Sequence, residues 1–148
     1  MKIFSAEVAV TRDDLHKHLK YPFRHLRDAE KLTVRYSYSP KRYEGDDSYA
    51  LARAAFSASY PEGAEPSCAD IEAELPLNNH LTLSLEREGK LVGTAHRHAP
   101  DAEYYVTAAS ASPGFTPTAV EKGEWAVVLS AHAVLDEKLT ATIEVEAE

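Results

Sequence analysis

Residues 125–134 form a run that is apolar on both alternating faces, and this run restricts the possible folds more than any other feature. Trp125, Val127 and Leu129 fall on one face, while Ala126 and Val128 fall on the other. Alternate side chains of a β-strand point to opposite sides of the sheet, so both sides of such a strand must be covered. The run therefore predicts a central strand in a structure of two packed layers.

Alternation of apolar and polar residues recurs along much of the remaining chain. The alternating segments lie near residues 4–10, 32–38, 81–86, 91–96, 102–109 and 139–145. Glu88 and Gly89 separate two of them and predict a hairpin turn, because glycine tolerates the positive φ of tight turns. About seven or eight strands with turn signals between most of them are typical of an antiparallel β-sandwich. We therefore predict a mainly β fold, built as a single domain over residues 1–148.

Residues 46–59 depart from this pattern and predict one short helix. Apolar and small residues recur there with helical spacing. Asp46 or Asp47 can cap the first turn, and Pro61 lies just beyond the end. Residues 61–80 combine prolines with mixed polar residues, so we expect mostly loop in that part of the chain.

Charge and composition exclude several classes of function. The chain has 16 basic and 24 acidic residues, a formal net charge of −8, which argues against general binding to nucleic acid or to an anionic membrane. No apolar run approaches the ~20 residues of a membrane span, and the first residues do not resemble a signal peptide. The single cysteine, Cys68, excludes an internal disulfide and fits a reducing compartment. We therefore expect a cytoplasmic protein that binds neither nucleic acid nor membrane.

The segment ASPGFTPTAVEKGEWAVVLSAH, residues 111–132, resembles part of a known accessory domain. A β-sandwich in front of some PHP-type metal phosphoesterases (the polymerase and histidinol phosphatase superfamily) has an S/T-P-G-Y/F segment, a second proline and a G-E/T-W-x-V-x-L strand. From about residue 14 onward, other segments of this chain agree with that domain in order. The resemblance implies a β-sandwich without catalytic activity, since the metals of those enzymes lie in the barrel that follows. It leaves open whether a separate phosphoesterase acts with this chain.

The stretch DDLHKH, residues 13–18, matches the D-L-H-x-H motif with which the PHP barrel itself opens. The matching residues are Asp14, Leu15, His16 and His18. However, the match lies at the start of the sandwich-like region and not after it. The barrel also requires further histidine and acidic ligands, spread over more residues than this chain has. We therefore interpret the match as coincidental.

Two histidine pairs define an alternative function. His16 and His18 are two positions apart, as are His96 and His98, and residues so spaced on a strand point the same way. If the two segments met, the four imidazoles could bind a zinc ion. Unrelated surface histidines are the commoner explanation of such pairs. The alternative is a small metal-dependent hydrolase, and it requires that all four side chains converge.

A nucleophilic active site is not indicated. Ser130, His132 and Asp136 could form a triad on paper, but no nucleophile elbow or oxyanion-forming glycine loop accompanies them. Cys68 has no assigned base. Phosphate-binding loops, G-x-G-x-x-G and C-x-x-C motifs do not occur in the sequence. We therefore predict a non-enzymatic protein that needs no cofactor.

Aromatic residues supply the remaining candidate site. The chain has eight tyrosines, and several lie near the ends of predicted strands. Sandwiches that bind sugars use exposed aromatic rings beside hydrogen-bonding side chains, and tyrosine is also common in protein interfaces. We therefore predict a binding module for a carbohydrate-like ligand or a protein partner, with Tyr43, Tyr105, Arg97 and His98 as candidate ligand contacts. Pairing through an edge strand could also make the chain a homodimer.

Overall fold

The computed structural model describes residues 1–59, 67–95 and 100–148. Two four-stranded antiparallel sheets, with strand orders β1-β8-β3-β6 and β2-β7-β4-β5, confirm the predicted β-sandwich. The strands are β1 (Lys2–Thr11), β2 (His18–His25), β3 (Lys31–Ser39), β4 (His80–Arg87), β5 (Lys90–Thr94), β6 (Asp101–Thr107), β7 (Gly123–Ala133) and β8 (Lys138–Ala147). The helices are α1 (Ser48–Ser59) and α2 (Cys68–Ala73).

The hydrophobic core lies between the two sheets, and β7 contributes to it most centrally. Trp125, Val127 and Leu129 of β7 face inward and are almost fully buried. Ala126 and Val128, on the outer face of the same strand, are buried as well. Because β2 and β4 flank β7 on either side, side chains of these neighbours shield its outer face. The doubly apolar run is therefore the central strand, as predicted.

Two tyrosines of β3 connect the sheets by hydrogen bonds. The Tyr36 hydroxyl donates to the carbonyl oxygen of Leu81 at 3.0 Å, and the Tyr38 hydroxyl donates to that of Asn79 at 3.3 Å. Leu81 lies in β4 of the opposite sheet, and Asn79 immediately precedes that strand. A buried hydroxyl without a partner would cost about 1–3 kcal/mol, so these bonds allow the polar ends of both rings to enter the core.

Asn79 holds three segments together at this end of the sandwich. Its side chain is fully buried. Its Nδ2 donates to the Pro40 carbonyl oxygen at 3.0 Å and to Asp136 Oδ2 at 2.6 Å. Its Oδ1 accepts from the Leu135 amide at 2.7 Å. One amide side chain thus links the residues after β3, the start of β4 and the connection between β7 and β8.

Residues 110–118 close one side of the sandwich. Ser112 exchanges two hydrogen bonds with the backbone of Tyr105 in β6, each 2.9 Å long. The carbonyl oxygen of Gly114 accepts from the Thr94 amide of β5 at 3.1 Å. The segment therefore crosses from an edge strand of one sheet to an edge strand of the other. Its two prolines, Pro113 and Pro117, lie outside the strands.

At one end of the first sheet, the beginning of β1 lies beside the end of β8. These strands pair antiparallel from Lys2 to Thr11. Beyond them, the Met1 amino group donates to the carbonyl oxygen of Ala147 at 2.9 Å, and the Ala147 amide donates to that of Met1 at 2.9 Å. Residues 1 and 147 therefore lie side by side.

The helix α1 confirms the predicted helix, whereas two elements were not expected. The strand β2 runs through Pro22, which is tolerated because β2 lies at a sheet edge. The helix α2 lies where loop was predicted. Ser67 caps it by accepting from the Asp70 amide at 3.1 Å, and Ile71 anchors it by burial. Neither of the two described helices has the length and apolar character that a membrane crossing demands.

Gly93 of β5 is the point of close approach between the sheet and residues 110–118. A Cβ atom there would press on the Phe115 Cα and lie 2.5 Å from the Gly114 carbonyl oxygen. We expect Gly93→Ala to lower the free energy of unfolding by about 1–3 kcal/mol because backbone atoms must move, as measured by urea titration. Lys90→Ala, at an exposed site on the same strand, should change it by less than about 0.5 kcal/mol. Equal effects of the two changes would contradict this role.

Burial raises the pKa of the Tyr36 phenol well above its ordinary value, with smaller effects from Tyr38 and Tyr104. Since the folded pKa exceeds the unfolded one, the stability from the neutral phenol is complete below about pH 10 and declines above it. We expect Tyr36→Phe to lower the free energy of unfolding at neutral pH by about 1 kcal/mol and to weaken the alkaline decline. Urea titrations at neutral pH and at about pH 11 measure both effects, and an unchanged alkaline decline would show the explanation to be wrong.

Candidate functional site

The outer face of the second sheet carries a concave polar groove of about 610 Å³. Its lining comes from every strand of that sheet and includes a cluster of histidines and hydroxyl groups. We call this surface the histidine groove. The residues that define it are His18 and Lys20 of β2, Ser130 and His132 of β7, and His80, Thr82 and Glu86 of β4.

Strand register brings these side chains together. His18 of β2 and Thr82 of β4 both lie directly opposite Ser130 of β7, and directly opposite residues share one face of a sheet. A bulge at the start of β4 interrupts the alternation there. The rings of His80 and His132 meet edge to face beside this bulge, with centroids 5.0 Å apart. Three histidines from three strands therefore line one surface.

Hydroxyl groups on neighbouring strands hold two of these rings. His18 Nδ1 lies 2.7 Å from Ser130 Oγ, and His132 Nε2 lies 2.8 Å from Thr82 Oγ1. Either imidazole nitrogen can donate or accept, depending on the tautomer. Each bond therefore fixes the orientation of one imidazole ring. The other nitrogen of that ring, Nε2 of His18 or Nδ1 of His132, takes no part in the bond.

The fixed charges of the groove form a pair above an apolar floor. Lys20 Nζ lies 2.7 Å from Glu86 Oε2. This oxygen makes no hydrogen bond of good geometry, so the contact is an ion pair without a directional hydrogen bond. Val128 and Ala95 are buried beneath the polar groups, and Leu91 is 65% exposed at the rim. The described lining thus offers hydroxyls, imidazoles and an apolar base, with its two fixed charges balanced.

The first sheet has an outer depression of about 480 Å³, lined in part by Arg35 and Glu103. Arg35 forms ion pairs there with Glu103 at 2.6 Å and with Glu146 at 2.9 Å. The guanidinium of Arg35 holds the pKa of the Glu146 carboxyl below its ordinary value. Since Arg35 and Glu103 already pair with one another there, this surface is a weaker candidate for ligand binding than the histidine groove.

The triad that Ser130, His132 and Asp136 could form on paper is not assembled in the structure. Ser130 instead contacts His18, and Asp136 accepts from Asn79. The distance between Ser130 and His18 would suit a nucleophile and its base. However, β7 pairs with a strand on each side at Ser130, which uses the backbone amides that an oxyanion hole would need. The described backbone around Ser130 therefore leaves no free amides for an oxyanion hole.

The predicted aromatic contacts lie outside the histidine groove. Tyr105 is on the opposite sheet, where Lys31 Nζ lies 5.2 Å from the centre of its ring. The Tyr43 hydroxyl donates to Asp47, next to α1. Arg97 and His98 lie outside the described residues. The structure thus does not bring the two tyrosines to one site.

The paired-histidine argument fails for the first pair. His16 has a φ of 65° in the turn before β2, so His16 and His18 do not alternate along one strand. His96 and His98 lie outside the described residues. Within residues 1–59, 67–95 and 100–148, no three or more His, Cys, Asp or Glu side chains are grouped to hold one metal ion. Convergence of all four histidines, which the hydrolase alternative requires, is therefore not tested by the described residues.

Comparison with known proteins adds little to this geometry. No family model and no curated protein matches the chain. Among solved structures, a protein from Sulfurospirillum deleyianum is similar with a TM-score of 0.36 and 8% identity, over 98% of this chain and 99% of that one. At this score the likeness supports no assignment of fold or function. The resemblance to the PHP-associated sandwich rests on the quoted residues alone.

The two hydroxyl–imidazole bonds should be separable by mutation. We expect Ser130→Ala to change the tautomer balance of His18 and to leave that of His132 unchanged, because each ring has its own hydroxyl partner. Thr82→Val should have the reverse effect. Long-range ¹H–¹⁵N NMR spectra of the imidazoles report the tautomers. Equal changes at both rings in either variant would contradict two independent bonds.

Proposed function

We propose that this chain is a non-enzymatic binding module whose histidine groove binds an uncharged, hydroxyl-rich ligand of carbohydrate type. The orientation of His18 and His132 by the hydroxyls of Ser130 and Thr82 carries this proposal. Sugar hydroxyls both donate and accept hydrogen bonds, as imidazoles and hydroxyl side chains do. Rings already held by neighbouring strands lose little conformational entropy when a ligand binds.

The balance of charge and the size of the groove support the same ligand class. The pairing of Lys20 with Glu86 favours an uncharged ligand over a phosphate or a cation. The volume of about 610 Å³ lies in the usual range for small-molecule sites, about 300–1,000 Å³. Val128 in the floor can contact the apolar C–H face of a sugar ring.

An accessory role fits a module that recognises a ligand without transforming it. The resemblance to the sandwich in front of PHP-type phosphoesterases supports such a role. A cytoplasmic location is part of the proposal, because the chain has one cysteine and so forms no internal disulfide.

The proposal is tested by titrating ¹⁵N-labelled protein separately with maltose, cellobiose and N,N′-diacetylchitobiose. We expect saturable shifts of the β4 and β7 amides around Thr82 and Ser130 with at least one sugar. His132→Ala should weaken that binding by about tenfold or more, since it removes a hydrogen bond made to the ligand. Tyr105→Ala on the opposite sheet is the matched control and should leave the affinity unchanged.

Two results would count against the proposed ligand or its site. If none of the three sugars shifted the amides of the groove, the assignment to this ligand class would fail. If saturable shifts clustered around Tyr105 and were lost in Tyr105→Ala, the aromatic surface predicted from the sequence would be the binding site instead.

Zinc binding separates this proposal from the metal-dependent hydrolase. The purified protein is titrated with Zn²⁺ and its metal content is measured by mass spectrometry. Stoichiometric zinc that is lost in both His16→Ala and His96→Ala would favour the hydrolase and would lead to phosphoester assays. The binding-module proposal expects no stoichiometric zinc that depends on this pair of residues.

A further inference from the structure

The outer strand edges of the two sheets differ in how they are protected against pairing with another chain. Residues 110–118 cover β5 and the C-terminal half of β6. The edge strand β2 contains Pro22, which has no amide hydrogen and interrupts a pairing edge. In the described structure, β1 has neither a covering segment nor a proline, although it is ten residues long. It is therefore the edge most open to strand addition.

The unpaired backbone groups of β1 can be identified from its final residue. The Thr11 amide donates to Asp14 Oδ2 at 2.9 Å, away from β8. Alternate residues of an antiparallel strand direct their N–H and C=O groups to the same side. Ser5, Glu7 and Ala9 therefore direct these groups to the open edge.

Both faces of β1 are complementary to a second copy of the same strand. On the inner face, Phe4 and Ala6 are only half-buried. On the outer face, a bulge between Lys2 and Phe4 places Lys2 in the row next to Ser5, opposite Glu146 of β8. Glu7 lies in the row on the other side of Ser5. Opposite charges thus flank one serine, and Lys2 Nζ also lies 2.9 Å from Glu144 Oε1 of its own chain, which would share the ammonium group with a facing Glu7.

We propose that β1 pairs antiparallel with β1 of a second copy about a two-fold axis through Ser5. In this register, Lys2 of each copy lies opposite Glu7 of the other, and cross-strand pairs of opposite charge are stabilising. Phe4 of each copy lies opposite Ala6 of the other, which covers the half-buried side of the core. The two first sheets become one continuous sheet across the dimer.

Charge complementarity is what selects a second copy as the occupant of this edge. A register shifted to centre on Glu7 would oppose two carboxylates and is disfavoured. Centring on Ser5 instead forms two Lys2–Glu7 pairs, and the side chains of both residues stay on the outer face of the sheet. The net charge of −8 on each copy opposes association, so the dimer is expected to depend on concentration.

A disulfide at the two-fold axis tests the register directly. Hydrogen-bonded antiparallel residues have Cα atoms about 5.5 Å apart, a separation that suits a disulfide. We expect Ser5→Cys, made in a Cys68→Ser background, to form a covalent dimer under mild oxidation. Ala9→Cys in the same background is the control. Ala9 is exposed on the same strand, but in this register it does not face Ala9 of the other copy, so the variant should stay monomeric on a non-reducing gel. Equal cross-linking of both variants, or none at Ser5, would overturn the proposal.

Sedimentation equilibrium over a concentration series tests the charge pairs without a cross-link. We expect the unmodified chain to dimerise and Glu7→Lys to raise the dissociation constant by about tenfold or more, because it places two lysines opposite each other. Glu137→Lys is the matched control, since it makes the same charge change at an exposed residue just before β8 and outside β1. It should leave the dimer intact, and urea titration checks that both variants fold. A chain that stays monomeric at every concentration, or a dimer unaffected by Glu7→Lys, would exclude this interface.

Discussion

Burial of β7 on both of its faces is the constraint that ties the histidine groove to the core. Its inner face places Trp125 and Leu129 between the sheets. Its outer face provides Val128, the floor of the histidine groove. Because β2 and β4 pair with β7 over nearly their whole length, groove residues keep one register. A site built on paired strands holds its geometry before a ligand arrives.

Polar groups inside the sandwich reinforce the end of the groove that carries His80. The hydroxyls of Tyr36 and Tyr38 reach the start of β4 from the opposite sheet, and Asn79 connects that start to two further segments. Buried hydrogen bonds of this kind are costly to leave unmade. They fix the end of β4 where the bulge brings His80 against His132.

Local pattern was enough to predict most strands, because a period of two reflects which side chains are buried. It missed β2, although Leu19, Tyr21 and Phe23 alternate there with polar residues, because a proline within such a run argues against a strand. Without β2, the approach of His18 to Ser130 could not be derived, since register depends on where two distant strands meet and not on either sequence alone. The same limit applies to Tyr105. Tyr104 and Tyr105 are consecutive, so alternation places them on opposite faces of the sheet, but only packing of Tyr104 on Phe115, with ring centroids 5.1 Å apart, decides which ring faces the core.

The adjacency of Met1 and Ala147 determines how the sandwich responds to mechanical force. A pull on these two residues loads the antiparallel β1–β8 pair at one end only. Its hydrogen bonds then break one after another instead of all at once, so β1 peels away at low force. Resistance to pulling follows the rate and path of unfolding under load and not the free energy of unfolding. The domain can therefore be stable in solution and still open easily when it is stretched along this direction.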